Sequence, residues 1–389
     1  MLAVAPAPVD EQFGTYTAVA SGGVHLLAAE LSQRLGRLGA AVVPLEPAGP
    51  GADEAPFHWG RWFAAAAKDA LEDADRRGGH VDAIGYAGAG ALALLHDAGL
   101  EQLLAPIPGE VVGNNRFSAD AFVVAGAGHA TEAPDGTARR GPSLERALDR
   151  LEACSSDNAA VRCLESAGFR SRDLADLAWS RFDVDTPLDL ALLRLSTRLR
   201  ANRKLDPTVA GYLEMARLPG DRELLVPQLE RIAAVIRDPA RQLVVAGRVP
   251  SSVLRELETE AACRVRAFVE ERGMRSARGS DPPRSILARW VEERGAASLV
   301  AELATLGDAV VLDTRVVMAA LVGSAESDAW PPQEERFASD FADTRPIQTP
   351  WLHELVEAAR ESPIPFLFGG HSLVSDGIRL VLAAAWLGR

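Results

Sequence analysis

Short apolar runs alternate with longer stretches in which apolar residues recur at helical spacing. The runs at 16–20, 40–45 and 81–86 predict strands, and the leucine spacing over 24–38 predicts a helix. Strands that alternate with helices form mostly parallel sheets covered by helices on both faces. The pattern therefore predicts an α/β fold for residues 1–205 and a second α/β domain for 206–389, after a basic segment that ends at Lys204.

The same patterns predict two turns and two further elements. Ser21, Gly22 and Gly23 are predicted to form a turn between a strand and the helix 24–38, and residues 87–91 a second glycine-rich turn into a helix over 92–96. Residues 177–182 are predicted to form a strand. Residues 286–306 are predicted to form one long helix.

The most informative stretch runs from Phe182 to Leu190. Asp183 and Asp185 are two apart, so on an extended backbone both carboxylates face the same way. Thr186 has the character of an N-cap, Pro187 of the first helical residue, and Asp189 completes a capping box. Two carboxylates at the end of a strand predict a Mg²⁺ site, although the same two aspartates would also serve as simple turn residues.

Two further groups of polar residues are candidates for ligand binding. A glycine turn at a helix start can hold a phosphate through its N–H groups, which makes Ser21, Gly22 and Gly23 candidates; such a turn also serves geometry alone. The second group lies between two apolar runs and contains Asn114, Asn115, Arg116, Ser118 and Asp120. The asparagine amides could bind a base or sugar, the arginine could bind a phosphate, and the aspartate could bind a metal. The alternative is a turn stabilised by hydrogen bonds from the asparagine side chains.

The composition argues against two classes of binding partner. The net charge is −13 in 389 residues and the pI is near 5.1, which argues against a nucleic acid or an anionic membrane as partner. No apolar run reaches the length of a membrane span and no signal peptide is evident, so we expect a cytoplasmic protein; a homodimer stays open. Cys154, Cys163 and Cys263 have no metal-site or disulfide-framework spacing, and we expect free buried thiols.

The succession Ser156-Asp157-Asn158, Ala167-Gly168-Phe169 and the run 182–190 resembles the end of small nucleotidyltransferase domains with a GT-A-type fold. The guanylyltransferases that act on phospholactate and on the molybdenum cofactor are examples. The resemblance covers roughly residues 15–200, and its specific part is the close from Phe182 to Leu190. It implies an enzyme that binds a nucleoside triphosphate with Mg²⁺ and passes the nucleotidyl group to a phosphorylated small molecule, with release of pyrophosphate.

The chain departs from that family at two places. The basic residue and the lysine that hold the triphosphate are missing after 21–23, and residues 86–90 contain no carboxylate where the family has a metal-binding aspartate. Asp120 is the candidate replacement, so Asp120, Asp183 and Asp185 form the expected metal and catalytic set. A GT-A-like nucleotide-binding or scaffold protein without catalysis is the alternative.

A third hypothesis places the activity in the C-terminal half. There Arg248, Asp313, Arg315, Arg345 and His371 fall at strand ends or in loops, where an anion would bind in an α/β domain. His371 follows two glycines at a helix start and is the candidate phosphate ligand or acid/base group. This half would then act on a phosphorylated metabolite.

Overall fold

In a computed structural model, the described part of the chain comprises residues 2–4, 15–45, 57–127, 131–132, 138–139, 141–199, 204–215, 224–271, 283–323 and 329–387. The chain divides into two compact units. Unit 1 contains Met1–Pro8 and Ser21–Asp183, and unit 2 contains Val9–Ala20 and Val184–Arg389. The second division thus falls at 183/184, whereas the sequence predicted a boundary at 205.

Unit 1 is a mixed α/β unit. Its strands are β1 (Leu2–Val4), β2 (Val43–Leu45), β3 (Ala83–Ala87), β4 (Glu110–Gly113), β5 (Ala121–Ala125), β6 (Thr131–Glu132), β7 (Ala138–Arg139) and β8 (Arg170–Asp173). Its helices are α1 (Thr15–Arg37, shared with unit 2), α2 (Trp59–Arg76), α3 (Asp97–Leu103), α4 (Leu144–Glu152) and α5 (Ala160–Ser166), and a 3₁₀ turn covers Asp157–Ala159.

Six of these strands form one mostly parallel sheet in the order β2-β1-β3-β5-β4-β8. Only β5 runs antiparallel to its neighbours. Side chains alternate between the faces, as a pleated strand requires: Phe122 packs with Phe63 of α2, whereas Val123 packs with Leu35 of α1 and Leu100 of α3. Helices therefore cover both faces, as predicted, and β6 and β7 form a separate antiparallel pair.

Local predictions at three places in the first half of the chain are wrong. Residues 16–23 lie inside α1, because Tyr16, Ala20, Leu27 and Leu31 continue one buried helical stripe through the glycines. Residues 92–96 are not helical, since Leu92 has φ +61° and α3 begins only at Asp97. Residues 177–182 form turns around Trp179, which has φ +67°.

Unit 2 is built on four parallel strands in the order β10-β9-β11-β12. They are β9 (Gln242–Gly247), β10 (Arg264–Val269), β11 (Ala309–Asp313) and β12 (Phe366–Gly369). The helices are α6 (Pro187–Ser196), α7 (Pro207–Met215), α8 (Val226–Ile236), α9 (Ser251–Glu260), α10 (Ile286–Arg294), α11 (Ala296–Thr305), α12 (Thr314–Val322), α13 (Gln333–Asp340), α14 (Pro350–Glu361) and α15 (Ile378–Ala385). All five residues of β11 are buried, which is typical of a central parallel strand.

The division lies earlier in the chain than predicted because α6 packs within unit 2. Its Leu188 lies against Gly369 at the end of β12, and its Leu192 lies against Gly377 before α15. The predicted helix over 286–306 is two helices, since Gly295, with φ +86°, ends α10 and begins α11. A residue with a side chain would be strained at that dihedral angle, so the glycine sets the break.

Cysteine pairing also differs from expectation. Cys154 and Cys163 form a disulfide, whereas Cys263 is free and buried as predicted. Cys154 precedes α5 and Cys163 lies within it, nine residues further along the chain. The spacing of the two cysteines matches no disulfide-framework motif, so the bond could not be predicted from the sequence.

Candidate functional site

The residues predicted to hold a phosphate lie inside a helix. Ser21, Gly22 and Gly23 occupy the middle of α1. Amide groups in a helix interior donate to the carbonyl four residues earlier, so their N–H groups are already used. The turn on which this prediction depended is not formed.

The Asn114 side chain forms hydrogen bonds that hold the local structure of unit 1. It is 1% exposed; its Oδ1 accepts from the amides of Asp120 and Ala121, both at 3.0 Å. Its Nδ2 donates to the Asp120 carboxylate at 3.2 Å and to the Ser180 carbonyl at 3.1 Å. Asn114 thus fastens Asp120 to the turn that precedes Asp183, which is a positioning role rather than the predicted contact with a base.

Asn115 and Arg116 also have structural partners. Asn115 is buried, and its Oδ1 accepts from the Phe117 amide at 3.3 Å. Arg116 pairs with Glu165 at 2.8 Å, and its guanidinium carbon lies 5.4 Å from the centre of the Phe117 ring. These contacts agree with the alternative stated above, a turn stabilised by asparagine side chains.

Asp120 and Asp183 are brought to one turn at the carboxyl end of β3. The Gly88 amide donates to the Asp120 carbonyl at 2.8 Å, and Ala91 forms an isolated antiparallel bridge with Asp183. Both aspartates are half-buried. Two of the three predicted metal ligands therefore lie on the same edge of the sheet, beside the point where strand order reverses between β1 and β3, the usual ligand position in open α/β sheets.

Tyr86 and Asp157 lie next to that turn. The Tyr86 hydroxyl donates to the Asp157 carboxylate at 3.2 Å. Burial, and then the charge of Asp157, raise the pKa of Tyr86, to which Asp183 also contributes; burial raises the pKa of Asp157 as well. The Tyr86–Asp157 hydrogen bond thus links β3 to the 3₁₀ turn at Asp157–Ala159.

The third predicted ligand, Asp185, is exposed and belongs to unit 2. The residue of this motif that the structure buries is Asp189, which is fully buried. The predicted capping box is confirmed, with Thr186 as N-cap and Pro187 in the first turn. Asp189 also accepts from the Ser372 hydroxyl at 2.6 Å, and burial raises its pKa to about 6.

Unit 2 has a second group of charged residues where its strands end. Arg248 follows β9 and forms a fork with Asp313, the last residue of β11, through Nε at 2.7 Å and Nη2 at 3.1 Å. Burial alone would raise the pKa of Asp313, but the charge and hydrogen bonds of Arg248 hold it below its usual value, and His371 acts in the same direction. Asp313 is fully buried, whereas the Arg248 side chain is 14% exposed.

A buried ion pair extends this group. Arg315 binds both carboxylate oxygens of Asp340, at 2.7 and 2.6 Å. Both side chains are buried, and Asp340 holds the pKa of Arg315 above its usual value despite burial. Sequence reasoning missed Asp340, Asp157, Tyr86 and Ser372, because each acquires its partner from a distant part of the chain.

Within the described ranges, no three His, Cys, Asp or Glu side chains are grouped so as to hold a metal ion. In the same part of the chain, no helix is both long and apolar enough to cross a membrane. Comparison with protein-family models, with curated proteins and with solved structures found no match to this chain.

Proposed function

We propose that unit 1 binds a nucleoside triphosphate with Mg²⁺ and transfers its nucleotidyl group to a phosphorylated small molecule. The observation that carries the proposal is the placement of Asp120 and Asp183, two half-buried aspartates whose backbones contact one turn at the carboxyl edge of the sheet. The mostly parallel sheet and the close from Phe182 to Leu190 support the GT-A-type resemblance on which the reaction class depends.

Two carboxylates are a suitable donor set for Mg²⁺. This ion is commonly bound by one or two carboxylates and completes its coordination with water and substrate phosphates. Asp120 and Asp183 would hold it, and Asn114 keeps the Asp120 carboxylate in place. When bound, Mg²⁺ would neutralise charge on the triphosphate.

Arg181 is our candidate for a protein cation at the phosphates. It is half-buried and comes two residues before Asp183, and its Nε is buried without a hydrogen-bond partner within the described chain. An unsatisfied buried donor is costly, and a phosphate oxygen would satisfy it. This residue supplies the positive charge that the sequence lacks after residue 23.

The proposed reaction needs no protein nucleophile. A phosphate oxygen of the acceptor attacks the α-phosphorus, the bond from that phosphorus to the oxygen bridging to the β-phosphate breaks, and pyrophosphate leaves. Such a transfer depends on positioning of the two reactants and on charge neutralisation. Asp120 and Asp183 would position the reactants through Mg²⁺, and Arg181 would add the positive charge that neutralises the phosphates.

Calorimetry with ATP, GTP, CTP and UTP, each with and without Mg²⁺, tests the proposal on the full chain. We expect one nucleotide to bind only with Mg²⁺, and Asp120→Asn or Asp183→Asn to weaken that binding about tenfold or more, the effect of losing a charged ligand. Asp185→Asn and Asp82→Asn, which change exposed carboxylates, are the matched controls. Absence of binding for all four nucleotides, or equal binding by all variants, would refute it; binding without turnover of any phosphorylated acceptor would favour the non-catalytic alternative.

One observation favours a second candidate function, an activity of unit 2 on a phosphorylated metabolite. Arg248 and Asp313 lie at the ends of β9 and β11, between which the strand order of the second sheet reverses, and His371 closely follows the end of β12, the strand next to β11. If this candidate is correct, Arg248→Lys and His371→Gln abolish the activity, whereas Asp183→Asn leaves it intact.

A further inference from the structure

The segment between α13 and α14 borders an open cavity of about 590 Å³ in unit 2. Cavities of this size are typical of small-molecule sites. Its lining residues are Thr344, Arg345, Ile347, Gln348, Pro350 and His353. The cavity belongs to neither of the sites described above.

The polar lining of the cavity consists of groups that can donate hydrogen bonds. Arg345 can only donate, and Thr344, Gln348 and His353 each have at least one donor in the appropriate tautomer or rotamer. No carboxylate is among the six lining residues. Ile347, which is 3% exposed, and Pro350 provide an apolar part of the wall. This combination suits a ligand with an anionic group and a small organic remainder.

Arg345 is held in place by a buried carboxylate. Its Nε and Nη2 both donate to Asp343 at 2.8 Å, while Asp343 also accepts from the Tyr16 hydroxyl at 3.0 Å. The Asp343 side chain is 3% exposed, but that of Arg345 is 73% exposed. A fixed guanidinium loses less conformational entropy when it binds an anion.

The surrounding charges are mixed. Arg360 donates to the Thr344 hydroxyl at 3.1 Å and places a second positive charge beside that lining residue. Glu357 lies 3.7 Å from His353, and the carboxylate of the buried Glu335 accepts from the Thr349 amide at 2.9 Å. Because Asp343 and Glu335 are buried, the exposed acidic group among these is Glu357, which faces His353.

We propose that this cavity binds the phosphate group of a small metabolite through Arg345, Gln348 and His353. Phosphate accepts hydrogen bonds from several directions, so it can use donors that converge from a loop and from the first turn of a helix. A flat carboxylate would use fewer of them. The site lies in unit 2 and does not depend on nucleotide binding by unit 1.

Calorimetry with inorganic phosphate and with glycerol 3-phosphate, using sodium acetate as the comparison anion, tests the proposal. We expect both phosphates to bind the wild-type chain and to compete, and acetate to bind much more weakly. His353→Gln and Gln348→Ala change half-buried or exposed side chains, so we expect them to fold and to weaken binding severalfold. Arg345→Lys keeps a charge beside Asp343 but loses the fork, and we expect a loss of about tenfold.

Two exposed residues provide matched controls. His80→Gln removes a histidine paired with Asp82, and Arg289→Gln removes an arginine paired with Glu293; both variants should bind phosphate like the wild type. Asp183→Asn should also bind phosphate normally, which separates this test from that of the proposed function. If neither phosphate binds the wild type, or if Arg345→Lys and His353→Gln bind as well as the controls, the proposal is wrong.

Discussion

Asp189 is the residue whose substitution gives the sharpest test of the structure. Its carboxylate is fully buried and accepts from the Asp185 amide at 3.1 Å, from the Thr186 amide at 2.9 Å and hydroxyl at 2.8 Å, and from the Ser372 hydroxyl at 2.6 Å. Asp189→Ala removes the capping box and leaves several of these donors without an acceptor. Loss of a cap costs about 1 kcal/mol and each stranded buried donor about 1 to 3 kcal/mol, so we expect unfolding of unit 2 to become easier by about 3 kcal/mol.

Asp189→Asn separates the shape of this side chain from its charge. The amide oxygen can accept from Asp185 and Thr186, and the Ser372 hydroxyl can rotate to accept from the new N–H group. We therefore expect the Asn variant to lie within about 1 kcal/mol of the wild type at pH 7, because it also removes the penalty of burying a charge.

The pH dependence has a definite sign. Burial raises the folded-state pKa of Asp189 to about 6, whereas an unfolded aspartate titrates near 3.9. The folded state thus binds more protons between these values, and the contribution of Asp189 to stability is full below about pH 4 and is lost as the pH rises through about 6. A shift of about two units corresponds to roughly 3 kcal/mol.

Urea unfolding of the wild type and both variants at pH 4.5, 6 and 7.5, followed by tryptophan fluorescence, measures these effects. The stability of the wild type relative to Asp189→Asn should decrease mainly between pH 4.5 and 6 and change little more by pH 7.5. The reasoning is refuted if the two pH profiles are parallel, or if Asp189→Asn is as destabilising as Asp189→Ala.

Three other predictions concern packing and covalent structure. Arg248→Gln leaves Asp313 buried without its partner and should lower the free energy of unfolding by about 3 to 5 kcal/mol, and adding Asp313→Asn should restore part of it in the same urea assay. Gly247→Ala should prevent normal folding, because its Cβ would lie 2.3 Å from the Asp313 Cβ at φ +128°, whereas Gly36→Ala, with open space around it, should leave the circular dichroism melting curve unchanged or slightly raised. Substituting both Cys154 and Cys163 by serine should lower stability by about 2 to 3 kcal/mol, the entropy of a short closed loop, and non-reducing peptide mapping that finds both thiols free would contradict the bond.

Local signals explain most of what could be predicted from the sequence. The helix predicted over 24–38 forms as the later part of α1, and the capping box at Thr186 and Asp189 forms as expected, since both depend on neighbours within a few residues. The two glycines in α1 were misinterpreted as a turn because their cost of about 1 kcal/mol each is offset by the buried stripe on that helix. In α1, burial of the apolar stripe therefore outweighed the low helix propensity of the two glycines.

The candidate sites were less predictable for a different reason. Asp120 and Asp183 are candidates from the sequence alone, but the sequence could not show that Asn114 joins the first to the turn before the second. Arg248 and Asp313 are 65 residues apart, and nothing local indicates that they pair. The topology of the sheet determines which buried polar groups become partners. Sequence patterns can therefore indicate that a residue is important but not which residue it pairs with.

The first helix has a practical consequence for dissecting this protein. Glu334 accepts from the backbone amides of both Tyr16 and Thr17, and the Tyr16 ring packs 5.2 Å from that of Phe341. A fragment that stops at Asp183 would retain Tyr16 and Thr17 but lose Glu334 and Phe341. A fragment that starts at Val184 would retain Glu334 but lack the two amides that donate to it. No single cut yields both halves complete, so isolated activities should be assigned by point substitution in the intact polypeptide rather than by truncation.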